Sequence, residues 1–263
     1  RLWPAPAPAA AIPGGRVFAV AAGRDDTLYV AGSGSGLVRS YDISRAHIPR
    51  ALAPGVDAPE GAKLAGTLAL TPDGDVVATG SADGHVWLWD ATSAPLRLLT
   101  GAPKVQDQLI EGVSISPDGT LLAAASDDST AQLWDITDPR VPSALGAAAL
   151  DGGLALFAAF SPDSRTMAVA HSSPNVVTLW DISDPGTPTQ LGEPVAGPAL
   201  QIYSLAFTPD GRTLAVGSAD RAVRLLDVSE PDSPAWLGDP LLGPAGTVFS
   251  VSVNPDGTLL AAA

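Results

Sequence analysis

Two short motifs recur along this chain with one spacing, and they restrict the fold more than any other feature of the sequence. The first is Pro-Asp-Gly, or once Pro-Asp-Ser, at intervals of 45, 45, 47 and 46 residues, beginning at Pro72, Pro117, Pro162, Pro209 and Pro255. The second is an aromatic residue or leucine followed by aspartate, at intervals of 48, 45, 46 and 46 residues, in Tyr41-Asp42, Trp89-Asp90, Trp134-Asp135, Trp180-Asp181 and Leu226-Asp227. Two independent markers that keep the same period indicate a structural repeat.

Within each repeat, the apolar residues have the spacing of β-strands. Residues 68–90 read LALTPDGDVVATGSADGHVWLWD, in which short apolar stretches are interrupted by turns at residues 71–74 and 81–84. Proline and glycine suit the second and last positions of such turns. The chain has 27 glycines and 25 prolines along its length, and they end each apolar stretch before a helix of three turns could form. We therefore predict an all-β protein with four short antiparallel strands in each repeat.

A four-stranded unit of this kind cannot bury both of its faces alone, so radial stacking into a β-propeller is expected. We predict one propeller domain, residues 1–263, with repeat units at about 16–59, 62–104, 106–150, 154–195 and 201–241. Residues 247–263 and 1–11 are predicted to share a last, sixth blade and so close the ring. The alternative is a seven-bladed propeller of which this chain is an incomplete part.

The motifs resemble those of a known family. Trp89-Asp90, Trp134-Asp135 and Trp180-Asp181, together with the Ser/Thr-Pro-Asp turns before them, resemble the repeats of WD40 (WD-repeat) β-propellers of the bacterial type. The resemblance implies a non-enzymatic scaffold for protein–protein interaction, or a recognition or sensor module. The chain would be either a domain of a larger bacterial signalling or regulatory protein or a stand-alone adaptor. Its partner would be a protein.

One departure from the family pattern concerns the aspartate of the turn between the second and third strands. WD repeats usually carry a Gly-His pair whose histidine bonds this aspartate, but the matching places in this chain contain no histidine. We therefore expect Asp83, Asp128 and Asp220 to bond the amides of their own turns. The tryptophans of the Trp-Asp pairs are predicted to be core between blades, and the aspartates after them to organise turns.

Composition argues against several other functions. The 28 acidic and 14 basic side chains give a net charge of −14, which disfavours binding to nucleic acid or to anionic membranes. No apolar run approaches the length of a transmembrane helix. His47, His85 and His171 lie at non-equivalent places, so we interpret them as solvated turn residues. We predict no catalytic residues, no metal and no cofactor. Because no signal peptide is visible, a cytoplasmic location is expected.

The family resemblance also indicates where a partner would bind. It implies that one column of residues, six places before each Pro-Asp pair, faces the entrance of the central channel. The column is Gly66, Glu111, Leu156, Tyr203 and Phe249, with Phe18 as the counterpart in the first unit and Asp127 nearby. Aromatic and aliphatic side chains in a ring suit a protein-binding surface. They would otherwise simply plug the channel. The alternative function is a small-ligand or glycan-binding propeller that stacks its ligand on Trp3, Trp87 or Trp236.

Overall fold

The computed structural model describes residues 16–33, 37–45, 49–57, 64–104, 108–149, 153–243 and 245–263, and in these residues all regular structure is β-strand. In chain order the strands are β1 (Arg16–Ala22), β2 (Thr27–Ser33), β3 (Leu37–Asp42), β4 (Arg50–Ala51), β5 (Val56–Asp57), β6 (Leu64–Leu70), β7 (Val76–Ser81), β8 (His85–Asp90), β9 (Arg97–Lys104), β10 (Ile110–Ile115), β11 (Leu121–Ser126), β12 (Thr130–Asp135), β13 (Ser143–Ala149), β14 (Leu154–Phe160), β15 (Thr166–Ser172), β16 (Val176–Asp181), β17 (Thr189–Ala196), β18 (Ile202–Phe207), β19 (Thr213–Ser218), β20 (Ala222–Asp227), β21 (Ala235–Leu242), β22 (Val251–Val253) and β23 (Leu260–Ala262).

These strands form six antiparallel sheets in the described part of the chain. Four sheets have four strands in sequential order: β6 to β9, β10 to β13, β14 to β17 and β18 to β21. The first sheet runs β1 to β4, with β5 also paired to β3, and the last contains β22 and β23. We number these sheets blades 1 to 6 in chain order. Neighbouring blades contact each other through their first strands, and the predicted all-β propeller of four-stranded antiparallel blades is confirmed.

The Pro-Asp-Gly turn holds its shape through its aspartate. In blade 2, Thr71 Oγ1 donates to Asp73 Oδ1 at 2.6 Å, and the same oxygen accepts the amide of Asp75 at 3.1 Å. The carboxylate therefore bridges both sides of the turn. The hydrogen bond from Thr71, then that from the Asp75 amide, holds the pKa of Asp73 below its usual value.

The glycine of the Pro-Asp-Gly turn also lies against the preceding blade, as the turns of blades 3 and 5 show. Gly119 has a φ of +77°, a conformation that few other residues adopt readily. A Cβ at Gly119 would lie 3.4 Å from Pro72 Cδ, and a Cβ at Gly211 would lie 3.4 Å from Pro162 Cδ. Each motif is thus a local turn and also a contact between consecutive blades.

The core lies between blades and is centred on the second strands. Every residue of β7 and of β11 is buried. At Gly80 on β7, an added Cβ would lie only 2.7 Å from Ile110 Cγ2 of the next blade. The absence of a side chain there lets the first strand of blade 3 pack directly against blade 2.

In the described residues, no preceding blade packs against the first strand of blade 1. Val17 is 45% exposed, whereas its counterparts Ile110, Ile202 and Val248 are fully buried. Leu259, beside the last strand of the chain, is also exposed. The predicted closure of the ring by residues 1–11 lies outside the described residues and stays a prediction; these two open faces are where that closure would act.

The buried tryptophans differ in how their indole N–H is satisfied. Trp89 Nε1 donates to Thr79 Oγ1 at 3.0 Å, and Trp180 Nε1 donates to Thr178 Oγ1 at 2.8 Å. Trp134 Nε1 is buried with no hydrogen-bond partner among the described residues. In blade 3 the residue in the place of Thr79 is Ala124, which offers no hydroxyl.

His171 is not the solvated turn residue that the sequence analysis expected. It lies on β15 with no exposed surface, and its Nε2 is 2.9 Å from Thr178 Oγ1. The expectation was wrong because strand β15 extends over residues that the repeat pattern placed in the turn. Burial lowers the pKa of His171 from 6.5 to about 4.

No helix in the described residues has both the length and the apolar character that crossing a bilayer requires.

Ala124→Ser is expected to stabilise the protein. A serine hydroxyl at this buried position would accept the indole N–H of Trp134, so the free energy of unfolding should rise by about 1 kcal/mol. Ala123→Ser is the matched control, because Ala123 is equally buried on the same strand but its side chain lies on the opposite face; it should destabilise. Urea unfolding of both variants measures the difference, and equal destabilisation by both would contradict this account of Trp134.

The buried His171 should make stability fall as the pH decreases. Above pH 6.5 the ring is neutral in both states; below it the unfolded chain binds a proton that the folded state, with a pKa of about 4, does not. Stability should therefore be lost progressively from pH 6.5 to about 4. His171→Gln removes this contribution and should reduce the change in unfolding free energy between about pH 7 and about pH 5 by about 2 kcal/mol. An unchanged pH dependence would contradict it.

Candidate functional site

A β-bulge occurs at one place in the first strand of each complete blade. The pairing register shifts between Val17 and Ala19, between Leu64 and Leu68, between Ile110 and Gly112, between Ala155 and Phe157, and between Ile202 and Ser204. The inserted residue is a member of the predicted column in four of them: Phe18, Glu111, Leu156 and Tyr203. A bulge redirects a side chain from the regular alternation of its strand.

Blade 6 has a related irregularity at the last member of the column. The amides of Phe249 and Ser250 both donate to the carbonyl oxygen of Ala263, at 2.8 and 3.2 Å. Two consecutive amides on one carbonyl leave one residue more on this strand than on its partner, as in a bulge. The position six residues before Pro-Asp in the sequence therefore coincides with a bulge, or a related irregularity, of the backbone.

The members of the column differ in accessibility. Phe249 is 65% exposed, whereas Leu156 is only 2% exposed; Glu111 and Tyr203 are intermediate. The backbone of Phe18 is described, but its side chain lies outside the described part of the structure. The burial of Leu156 removes it from any surface that a partner could reach, contrary to the expectation for this residue. Its backbone lies close to blade 3, since a Cβ at Gly112 would be 2.6 Å from the carbonyl oxygen of Leu156.

Three aromatic side chains from neighbouring blades form a row at this end of the sheets. The ring of Tyr203 lies 5.1 Å from that of Phe249 and 6.4 Å from that of Phe157, measured between centroids, and both pairs are tilted. Tilted aromatic pairs at these distances stabilise each other. The hydroxyl of Tyr203 donates to Gln201 Oε1 at 3.0 Å. We call Phe157, Tyr203 and Phe249 the aromatic row.

Phe157 was missed by the sequence analysis. The bulge in blade 4 places Leu156 in the interior and leaves Phe157, the next residue, in contact with Tyr203. The one available signal was the presence of two large apolar residues in succession where the other blades have at most one. Which of the two would be buried depends on the register of the bulge, and the sequence pattern does not specify it.

Glu111 and Asp127 form an acidic pair at the blade 3 end of the row. Burial, and then the charge of Asp127, raises the pKa of Glu111. Burial, and then the charge of Asp128, raises the pKa of Asp127. Asp127 Oδ1 is buried and has no hydrogen-bond partner in the described residues. We call Glu111 and Asp127 the acidic pair.

Without the histidine of the WD repeat, the three turn aspartates each have different bonding partners. Asp128 Oδ1 accepts the amide and the hydroxyl of Thr130, at 3.0 and 2.6 Å, within its own turn. Asp83 Oδ1 accepts the amide of His85 at 3.4 Å and lies 3.0 Å from His85 Nδ1.

Asp220 differs from the expectation that it would bond its own turn. It accepts the amide of Ala199 at 3.0 Å, from the segment in which a WD repeat would carry its histidine, and it pairs with Arg224 at 2.8 Å. A backbone amide and an arginine thus bond this aspartate, as the histidine does in the usual WD repeat.

The remaining repeat positions have structural contacts. The three tryptophans are buried in clusters that join residues of two blades; they are Trp89, Trp134 and Trp180. The aspartates that follow them accept the amide two residues later, at 2.8 to 2.9 Å, and are Asp90, Asp135 and Asp181.

The tryptophans considered as ligand platforms contact other residues of the protein or lie outside the described residues. Trp87 is buried and stacks on His85, with 5.3 Å between ring centroids. Trp236 donates its Nε1 to the carbonyl of Ala196 at 2.8 Å, and its ring lies against Gly197. Trp3 lies outside the described residues. Within the described ranges, no three histidine or acidic side chains are grouped as a metal ion would need.

Comparisons with known proteins agree with this geometry. Three segments, residues 65–90, 94–135 and 194–227, match the WD40 family, described as "WD domain, G-beta repeat". A chain in a solved structure named "Crystal Structure of Mitotic Checkpoint Complex" has a similar fold, with a TM-score of 0.76 and 20% sequence identity; the match covers 95% of this chain and 72% of that one. No curated protein matches the chain. Three segments of the chain are therefore similar to WD40 repeats, and the chain has the fold of an all-β propeller with four-stranded antiparallel blades.

Asp127→Asn is expected to lower the pKa of Glu111, because it removes the neighbouring negative charge. The pKa should remain above the ordinary value, since burial is the larger cause of the shift. Carbon-13 NMR of the Glu111 carboxyl group across a pH titration measures this. Asp256→Asn, at an exposed turn in blade 6, is the control and should leave the Glu111 titration unchanged. A shift of equal size in both variants would contradict a direct interaction.

Proposed function

We propose that this chain is a non-enzymatic WD40 propeller that binds a protein partner at the rim formed by the aromatic row, as a scaffold or as a recognition module. The observation that carries the proposal is the exposure of Phe249 beside Tyr203. Exposed aromatic side chains that are held in place by their neighbours are typical of the residues that dominate protein–protein binding.

The position of the row in the fold supports the same function. Its members come from three consecutive blades, so a partner lying across it would contact several repeats at once. Two of the three residues are only partly exposed, which fixes their rings before binding and lowers the entropy lost on association. The row offers apolar rings and one hydroxyl already bonded to Gln201, an arrangement suited to contact rather than to proton transfer.

The similar solved structure is that of a complex, which is in keeping with a role in protein assembly. The resemblance in sequence adds the finer part of the proposal, that the chain is a module of a larger bacterial signalling or regulatory protein located in the cytoplasm. The glycan-binding alternative has no observation in its favour, because Trp87 is buried and Trp236 is engaged with blade 4.

Substitutions in the aromatic row should reduce capture of the partner without unfolding the propeller. The immobilised protein is incubated with a lysate of the organism that encodes it, and the captured proteins are quantified by mass spectrometry. We expect Phe249→Asp to reduce recovery of the specific partner by about tenfold or more, and Tyr203→Ala by less, as for residues at the centre of an interface.

Leu242→Asp is the matched control, because Leu242 is 80% exposed but lies on β21, the outermost strand of blade 5. It should capture the partner as the unsubstituted protein does. Circular dichroism and thermal unfolding verify that each variant is folded. Equal recovery by the Phe249, Tyr203 and Leu242 variants would refute binding at the aromatic row.

A further inference from the structure

The acidic pair and the aromatic row lie beside each other on neighbouring blades. Gly112 directly follows Glu111, and a Cβ at Gly112 would lie 3.1 Å from Phe157 Cδ1. Phe157 contacts Tyr203, which contacts Phe249. Asp127 reaches the same end of blade 3, since its amide donates to the carbonyl of Leu109 at 3.1 Å, just before the strand that carries Glu111. This end of the sheets is thus acidic in blade 3 and aromatic in blades 4 to 6.

The acidic pair has no counter-ion among the described side chains. The causes of the raised pKa values of Glu111 and Asp127 include no positive charge, and Asp127 Oδ1 lacks any hydrogen-bond partner there. Leaving a buried carboxylate oxygen without a donor carries an energetic penalty. A cation that binds at this place would remove that penalty.

Blade 5 has an acidic side chain at the same end of the sheets, and this one does have a counter-ion. There Asp220 is paired with Arg224, with 2.8 Å between Nη1 and Oδ2. The residue of blade 3 in the place of Arg224 is Gln132, whose amide donates to the carbonyls of Leu133, Leu145 and Gly146. The counterpart of Asp220 in blade 3 is Asp128, which is bonded to Thr130. Glu111 and Asp127 are therefore additional carboxylates, whose counterparts in blade 5 are the uncharged Tyr203 and Ala219.

We infer that the partner presents an extended segment with an apolar side chain against Phe249 and Tyr203 and a lysine or arginine, a few residues away, against Glu111 and Asp127. This inference rests on the proposed function, which it extends from a protein partner to a segment of stated chemistry. Complementary charge directs the orientation of such a segment, and a guanidinium can bond two carboxylate oxygens at once. The net charge of −14 favours the approach of a basic segment over a long distance.

The test uses synthetic peptides as probes. Fluorescein-labelled peptides of equal length carry one Trp, Phe or Leu and, two to four residues away, one Arg, Gln or Glu in an otherwise Gly/Ser sequence. Fluorescence anisotropy measures their affinity for the full chain at low and at high ionic strength. We expect the best Arg peptide to bind about tenfold more tightly than its Gln counterpart, and the difference to shrink at high salt.

The double variant Glu111→Gln/Asp127→Asn should abolish the preference for Arg over Gln. The matched control is Glu193→Gln/Asp239→Asn, which removes the same charge from exposed positions on the outer strands β17 and β21 and should retain the preference. Phe249→Asp should weaken the binding of every peptide. Thermal unfolding verifies that the variants are folded.

The outcomes separate this inference from the function on which it rests. Equal affinity for Arg and Gln peptides, or a preference that survives the double variant, overturns the basic segment but leaves a protein-binding rim intact. Loss of the preference when calcium is added, together with calcium binding in calorimetry without peptide, would show a metal site instead. Absence of peptide binding also overturns the inference, and the lysate experiment with Phe249→Asp then decides whether the rim binds a protein at all.

Discussion

The contact between consecutive blades is the interaction on which the rest of this structure depends. A blade has two apolar faces and cannot cover either one itself, so each second strand is buried by the first strand of the next blade. The close approach of Ile110 to Gly80 shows how little space separates them. Where the described residues supply no neighbour, as at Val17, the same position becomes half exposed. Stability is thus a property of the array rather than of any one repeat.

The rim follows from the same constraint. If a first strand is covered along its whole length, none of its side chains is accessible to a partner. The bulge near the start of the strand redirects one residue from the regular alternation. In blade 4 the bulge residue, Leu156, is buried, but in blades 3, 5 and 6 this residue is at least partly exposed and varies from Glu111 to Tyr203 to Phe249. Its variation can create a surface with an acidic end and an aromatic end while the blades beneath it remain alike.

The polar groups inside the blades show how far a repeat can change without losing its fold. Where the family histidine is missing, Asp220 binds a backbone amide and Arg224, while in blade 4 His171 enters from a strand and joins Thr178 and Trp180. In blade 3 the Trp134 indole has no acceptor among the residues that the structure describes. Each of these differences changes the free energy of folding by about that of one hydrogen bond. This is small compared with the free energy gained from the apolar area that the blades bury together.

The period of the motifs and the alternation of apolar residues by themselves determined the fold class and the four-stranded blade, because turns and strands depend on neighbours along the chain. The resemblance to WD40 propellers indicated the place of the column. Tertiary structure decided the rest. The burial of His171, the choice between Leu156 and Phe157, and the ion pair of Asp220 all depend on bulge register and on atoms about one repeat away or on an adjacent strand. A linear pattern carries no information on such distances, so accessibility and charge pairing at the rim were settled only when the blades packed together.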